Sequence, residues 1–208
     1  MSVASSLQTA VAPGAWRYAL ACFLLSAPLA VLFFPLGFTV LLLGVGALWF
    51  HRDPDRTPPE TGIVAPADGK ISVIREETDD KGRSRIRVGV FMNVTDVHVN
   101  RAPTDGVVTS VTHRPGAYKP AFSKDSDRNE RVVIDCGEYE VALIAGWFAR
   151  RIHPYVTAGE TLVRGQRIGH VSFGSRADIL LPPTYDRDDL CITNGDRVYA
   201  GTTVIVAE

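Results

Sequence analysis

The dipeptide Gly174-Ser175, set between strand-like runs at 167–173 and 177–181, is a place where this chain can attack itself. The Ser175 hydroxyl can add to the preceding carbonyl, and a glycine there offers an unhindered carbonyl and tolerates a strained backbone. The resulting ester can eliminate across Cα–Cβ to leave dehydroalanine, which tautomerises and loses ammonia to give a pyruvoyl group. Alone, Gly-Ser reads as an ordinary turn, since both residues favour turns. The surrounding residues have to decide.

No other reactive cluster is visible. His51, His113, His153 and His170 match no motif and show no ligand spacing with carboxylates, so no metal is expected. Cys22, Cys136 and Cys191 are odd in number and lack a CxxC pair, which argues against a disulfide framework and fits a reducing compartment. Cys22 and Cys136 read as small buried hydrophobes. A net charge of −1 excludes the electrostatic footprint of a nucleic-acid binder.

The elements that would position Ser175 follow from composition and pattern. At 208 residues and 46% hydrophobic content, the chain can build one domain with an appendage. Residues 1–17 form an N-terminal tail. Residues 18–50 carry no charge at all, and these 33 residues exceed one span of about 20 but fall short of two. One long tilted helix and a hairpin of two short helices, 18–33 and 36–50, both fit. Pro35 and Gly37 at the midpoint favour the hairpin, which also keeps Arg17 on the same side as His51, Arg52 and Arg56. A cleaved signal peptide fits poorly, because the run is too long and no small-x-small site follows it. The polar, proline-rich stretch 51–61 is a linker.

From residue 62 to 208 the texture is short β-branched runs at 70–75, 85–92, 106–112, 131–136, 139–144, 167–173, 177–181 and 202–206. Period-two alternation predicts a mainly β sandwich or barrel, with at most a turn or two of helix at 145–151. Two internal echoes sharpen this. Ala-Pro-Ala-Asp-Gly at 65–69 recurs as Ala-Pro-Thr-Asp-Gly at 102–106, and Gly159-Glu-Thr-Leu-Val-Arg-Gly165 recurs as Gly195-Asp-Arg-Val-Tyr-Ala-Gly201. The pattern is similar to barrel-sandwich domains, in which two like β halves interlock; that likeness carries no function by itself.

Val-Ala-Pro-Ala-Asp-Gly-Lys at 64–70, Asp-Val-His-Val-Asn-Arg-Ala-Pro at 96–103, Asn-Glu-Arg-Val at 129–132 and Phe-Gly-Ser at 173–175 stand in this order behind an apolar segment. The series resembles the phosphatidylserine decarboxylases over essentially the whole chain, and is most similar to the short bacterial type. The resemblance implies an Asp68, His98, Ser175 triad for self-cleavage between Gly174 and Ser175, with Ser175 becoming the covalent pyruvoyl cofactor. Such a triad makes physical sense, since a serine hydroxyl needs an imidazole, oriented by a carboxylate, to become a nucleophile. Asp105 is the natural rival of Asp68, at the matching place in the echo. Longer bacterial members carry a second histidine where this chain has Arg101, which cannot act as a base. Either His98 serves twice, in maturation and as proton donor after decarboxylation, or another group takes one role.

The reaction so implied is decarboxylation of phosphatidylserine to phosphatidylethanolamine through a Schiff base. The partners implied are a phospholipid substrate, a membrane, and the complex of the chain's own two products, 1–174 and 175–208; a homo-oligomer is left open. Substrate phosphate is expected at Arg101, Lys119 and Arg131, with Arg128 beside them, and the aromatic, basic loop 117–128 suits contact with lipid. The expected location is the inner cell membrane with the catalytic domain on the cytoplasmic side. Two alternatives remain: a pyruvoyl-dependent decarboxylase of another amino lipid such as archaetidylserine, and a non-catalytic, membrane-tethered barrel-sandwich binding module.

Overall fold

The computed structural model describes residues 10–79, 82–121, 124–147, 151–172 and 174–207. The chain divides into two units at Asp55–Arg56, inside the expected linker.

In the first unit two helices, α1 (Ala15–Leu32) and α2 (Phe34–Phe50), form a hairpin. The break is the single extended residue Phe33 (φ −155°, ψ 98°). Pro35 therefore lies in the first turn of α2, where its missing N–H costs nothing, and not in the turn itself as the sequence reading had it. Gly37 lets the two helices meet, since a Cβ there would fall 2.3 Å from the Ala30 nitrogen. By length and composition α1, with mean hydropathy 1.6, is able to cross a membrane, and α2 is a shorter apolar helix.

The second unit is built from strands: β1 (Ile63–Val64), β2 (Gly69–Thr78), β3 (Ser84–Phe91), β4 (Val99–Arg101), β5 (Gly106–Val107), β6 (Ser110–Arg114), β7 (Arg131–Asp135), β8 (Glu140–Ile144), β9 (Ile152–Pro154), β10 (Thr161–Leu162), β11 (Arg167–Val171), β12 (Arg176–Leu180), β13 (Arg197–Val198) and β14 (Val204–Val206). Strand outweighs helix in the molecule, 35% to 21%, as the alternation predicts. Seven strands form one antiparallel sheet in the order β13-β2-β3-β12-β8-β7-β6, and three more form β4-β11-β9. No helix forms at 145–147, and 148–150 lie outside the described residues.

One row of paired residues crosses all seven strands: Arg197, Lys70, Phe91, Arg176, Ile144, Arg131 and Arg114. Direct cross-strand partners share a face. The opposite face, with Ile71, Val88, Val90, Val132, Ile134, Val141, Leu143, Ala177 and Ile179, makes the apolar core.

The internal echoes become matching hydrogen bonds. The Gly195 N–H donates to the Ile71 carbonyl, the Ile71 N–H to Asp196, and the Gly201 N–H to Ala65. In the second copy Gly159 donates to Val108, Val108 to Glu160, and Gly165 to Ala102. The two halves thus clasp in the same way, as the repeated sequence foretells.

Candidate active site

Ser175 is 0% exposed, and its Oγ has no hydrogen-bond partner among the described residues. A buried hydroxyl left this way forfeits solvation without recompense, which the fold tolerates at sites of function. The peptide it would attack is held firmly. Gly174 adopts φ +75°, a left-handed conformation that favours glycine. A Cβ at Gly146 would lie 1.6 Å from the Gly174 oxygen, so only a glycine lets the chain leaving β8 back so closely against that carbonyl.

His98 reaches this place by register. The Met92 N–H donates to the Ser175 carbonyl, and the Val171 N–H donates to the His98 carbonyl. The two ends of the segment 92–98 are therefore tied to Ser175 and Val171, with His98 at one tie and Ser175 at the other. His98 is 2% exposed, and its Nδ1 lies 3.0 Å from the Asp96 carbonyl oxygen. A carbonyl only accepts, so Nδ1 carries the proton, and in the neutral ring Nε2 keeps the lone pair a base needs.

Asp68 arrives beside them on the other flank of β4. The Arg101 N–H donates to the Pro66 carbonyl and the Val64 N–H to that of Pro103, which ties the segment before Asp68 to that following His98. Its carboxylate, however, accepts a hydrogen bond of 2.7 Å from Arg56 Nη2, pairs with Arg56 Nη1 at 2.7 Å, and accepts a bond of 2.8 Å from the Ala200 N–H. The orienting acceptor on His98 Nδ1 is a backbone carbonyl. The rival, Asp105, is exposed and accepts from the Arg164 N–H at 2.7 Å.

Of the three cations expected at phosphate, Lys119 is exposed. Arg101 is 4% exposed, on a strand whose three residues are all buried, and donates to the Gly165 carbonyl at 3.0 Å. Arg131 donates to the carbonyls of Asn129 and Asp127, bracing the loop 124–131.

Several residues escaped the sequence reading. Arg176, next to Ser175, is 2% exposed and donates to both oxygens of Asp178, at 2.7 and 2.9 Å. It also reaches Ser126 Oγ at 2.7 Å and Asp127 at 3.0 Å. Burial alone would raise Asp127, but the hydrogen bonds from Arg75 and Arg176 prevail and hold its carboxyl below the usual range. Asn129 donates to the carbonyls of Lys119 and Ala145, fastening the loop beside Gly146. Asn100 is fully buried, and its Oδ1 lacks a partner among the described residues. His170 stacks on His153 at 4.5 Å, with Tyr155 Oη 2.6 Å from its Nδ1. The one signal for Asn100 and Asn129 was their place inside the quoted motifs. No group of three or more His, Cys, Asp or Glu able to hold a metal occurs among the described residues.

The family model described as phosphatidylserine decarboxylase matches residues 46–206. A Halobacterium salinarum protein named archaetidylserine decarboxylase proenzyme is 54% identical over 193 residues, covering 93% of this chain and 96% of its own. A Thermobifida fusca protein named phosphatidylserine decarboxylase proenzyme is 46% identical, covering 79% of this chain and 74% of its own.

Proposed function

Because the chain belongs to the phosphatidylserine decarboxylase family and is a decarboxylase, we propose that it removes the carboxylate from the serine headgroup of phosphatidylserine, after cutting itself between Gly174 and Ser175. The observation that carries this is the buried Ser175 Oγ, without a hydrogen-bond partner among the described residues, beside a carbonyl backed by Gly146. Ser175 Oγ adds to the Gly174 carbonyl carbon, and His98 Nε2 takes the hydroxyl proton. The peptide C–N bond breaks to leave an ester, then loss of the Ser175 α-proton expels the Gly174 carboxylate. Residue 175 keeps its own nitrogen as an enamine, and water replaces that nitrogen as ammonia. These surroundings fit a pyruvoyl group at position 175. That group supplies the electron sink that accepts the pair released as carbon dioxide leaves.

The chain's own residues then hold the new end in place. Arg176, clamped by Asp178, Ser126 and Asp127, fixes residue 175, which precedes it and becomes the new end. Every strand of product 175–208 pairs with a strand of product 1–174: β12 with β3 and β8, β13 with β2, β14 with β1. His98 is the base in the first stage and serves again as proton donor in the second. The apolar hairpin anchors the domain on the cytoplasmic side of the membrane, since a diacyl lipid costs too much to extract into water.

A second substrate reading, archaetidylserine, is favoured by the relative at 54% identity that carries that name. The two lipids share the phosphoserine headgroup, where all the chemistry takes place.

The test is denaturing electrophoresis with intact mass on folded protein. Two chains are expected, the smaller with a blocked, borohydride-reducible N-terminus, while Ser175→Ala and Gly146→Ala remain single chains of 22.6 kDa. A folded, uncut wild-type chain overturns the proposal. Supplying both lipids to the cut enzyme and comparing kcat/KM decides the substrate.

A further inference from the structure

The row of residues that ends the seven-stranded sheet beside Ser175 holds five cations on one face: Arg197, Lys70, Arg176, Arg131 and Arg114. At about 4.8 Å between strands, the row extends for roughly 29 Å. Its centre is neutralised or braced from within, Arg176 by Asp178 and Asp127, and Arg131 by backbone carbonyls. Its flanks are open. Lys70, Arg197 and Arg114 are exposed, and neither Lys70 nor Arg114 has a carboxylate partner among the described residues. Arg197 donates to Asp96 and lies over the Tyr199 ring.

The loops leaving the same end add exposed apolar and aromatic groups: Val94 (47%), Trp147 (63%) and Tyr199 (47%). The acids described at this end are engaged: Asp96 by Arg197, Asp68 by Arg56, Asp127 by Arg75 and Arg176, and Glu130 by Tyr118 and His113. The opposite end of the sheet is different, with Asp79, Asp135, Glu138 and Glu140 on its hairpins against Arg83 and a buried Arg85. The chain also enters the domain at the cationic end, where Arg56 is fixed to Asp68, two residues before Lys70.

We propose that this end of the sheet docks on the anionic headgroups of a phospholipid bilayer, Lys70, Arg114 and Arg197 meeting phosphates while Trp147 and Val94 enter the interface. The identity of the substrate as a membrane lipid is the reading it rests on. Each basic side chain brought to an anionic surface favours the docked state by roughly fivefold. Docking would set the mouth of the Ser175 site in the headgroup plane, so that a serine headgroup enters without leaving its leaflet.

Hydrogen exchange tests this on the full Ser175→Ala chain in nanodiscs of phosphatidylcholine alone or mixed equally with phosphatidylglycerol. Cleavage and decarboxylation play no part in the readout, so failure of the catalytic reading and failure of the docking surface are distinguishable. Amides at 93–97 and 114–121 are expected to exchange several-fold more slowly in the anionic discs. The difference should vanish in high salt and in a Lys70→Gln, Arg114→Gln double variant, and persist in Glu138→Gln at the far end. Equal exchange in the two kinds of disc overturns the proposal, as does full protection in the double variant.

Discussion

Asp68 and Asp105 hold equivalent places in two copies of one turn. Each accepts a hydrogen bond from the residue before a left-handed glycine: Asp68 from Ala200 before Gly201, and Asp105 from Arg164 before Gly165. The backbone role is therefore common property of the fold. What differs is everything around it. Asp68 is 4% exposed and bound twice by Arg56, whereas Asp105 is exposed. The Asp68 bond also joins residues on either side of the proposed cut, while the Asp105 bond stays within 1–174. The contrast teaches that a carboxylate at this motif is structural first, and that any chemical duty of Asp68 comes from its neighbours.

Removing each aspartate strains the comparison most. Asp68→Ala strands the buried Ala200 N–H and takes away the charge that answers the largely buried Arg56 guanidinium, which keeps only the Ala200 carbonyl, and is expected to cost about 3–5 kcal/mol. A thermal melt of the solubilised chain measures it. Asp68→Asn keeps an acceptor for Ala200 but removes the charge that answers Arg56. Slower self-cleavage at a melting temperature well above that of Asp68→Ala would separate the chemical role from the structural one. If Asp68→Asn cuts at the wild-type rate, the carboxylate charge has no part in maturation.

The glycines test whether the copies are equivalent in packing. Both have positive φ, 78° for Gly165 and 72° for Gly201, so an alanine at either costs about 1–2 kcal/mol in backbone strain. A Cβ at Gly165 would also lie 2.2 Å from the Pro58 ring, while at Gly201 it meets the movable Arg101 Cδ at 2.9 Å. Gly165→Ala is expected to be the more damaging by denaturant midpoint, reversing the order expected for the aspartates. Asp105→Ala should lose one exposed hydrogen bond, about 0.5–1.5 kcal/mol, and leave cleavage unchanged on a gel.

Acid provides the mildest test, away from both copies. Hydrogen bonds from Tyr118 and then His113 hold Glu130 below its ordinary pKa, and Arg75 and Arg176 do so for Asp127 against burial. Groups depressed in the folded state add stability that is complete above the unfolded carboxylate pKa of about 4 and disappears as pH falls through the folded values. Amides at 117–121 are thus expected to lose protection below about pH 4, before those of the paired strands β2 and β3. Equal loss in both regions would show that these carboxylates do not hold the loop.

Much of this molecule was legible from residues alone. The uncharged run with Pro35 at its middle favoured a hairpin over one long helix, β-branched alternation located eight strand regions, and the echoes pointed to two like halves that interlock. Short strands such as Val99–Arg101 and Ile152–Pro154 were missed, because two or three residues carry too little pattern to register. Arg176 and Asp178 were also unreadable. In a strand pattern a charge reads as facing water, yet here the face is closed by the 3₁₀ turn Lys124–Arg128, from a distant part of the chain, bearing Ser126 and Asp127.

For the site, the sequence by itself offered the reagents: a Gly-Ser peptide able to rearrange, an imidazole, and an acid in a duplicated turn. These are local chemical facts that chain order preserves. Tertiary structure alone decided how they are used. It joined His98 Nδ1 to the Asp96 carbonyl, gave Asp68 to Arg56, and backed the Gly174 carbonyl with Gly146. Hydrogen bonds and close packing act over a few ångströms, and only the completed sheet brings residues from 56 to 200 within that range.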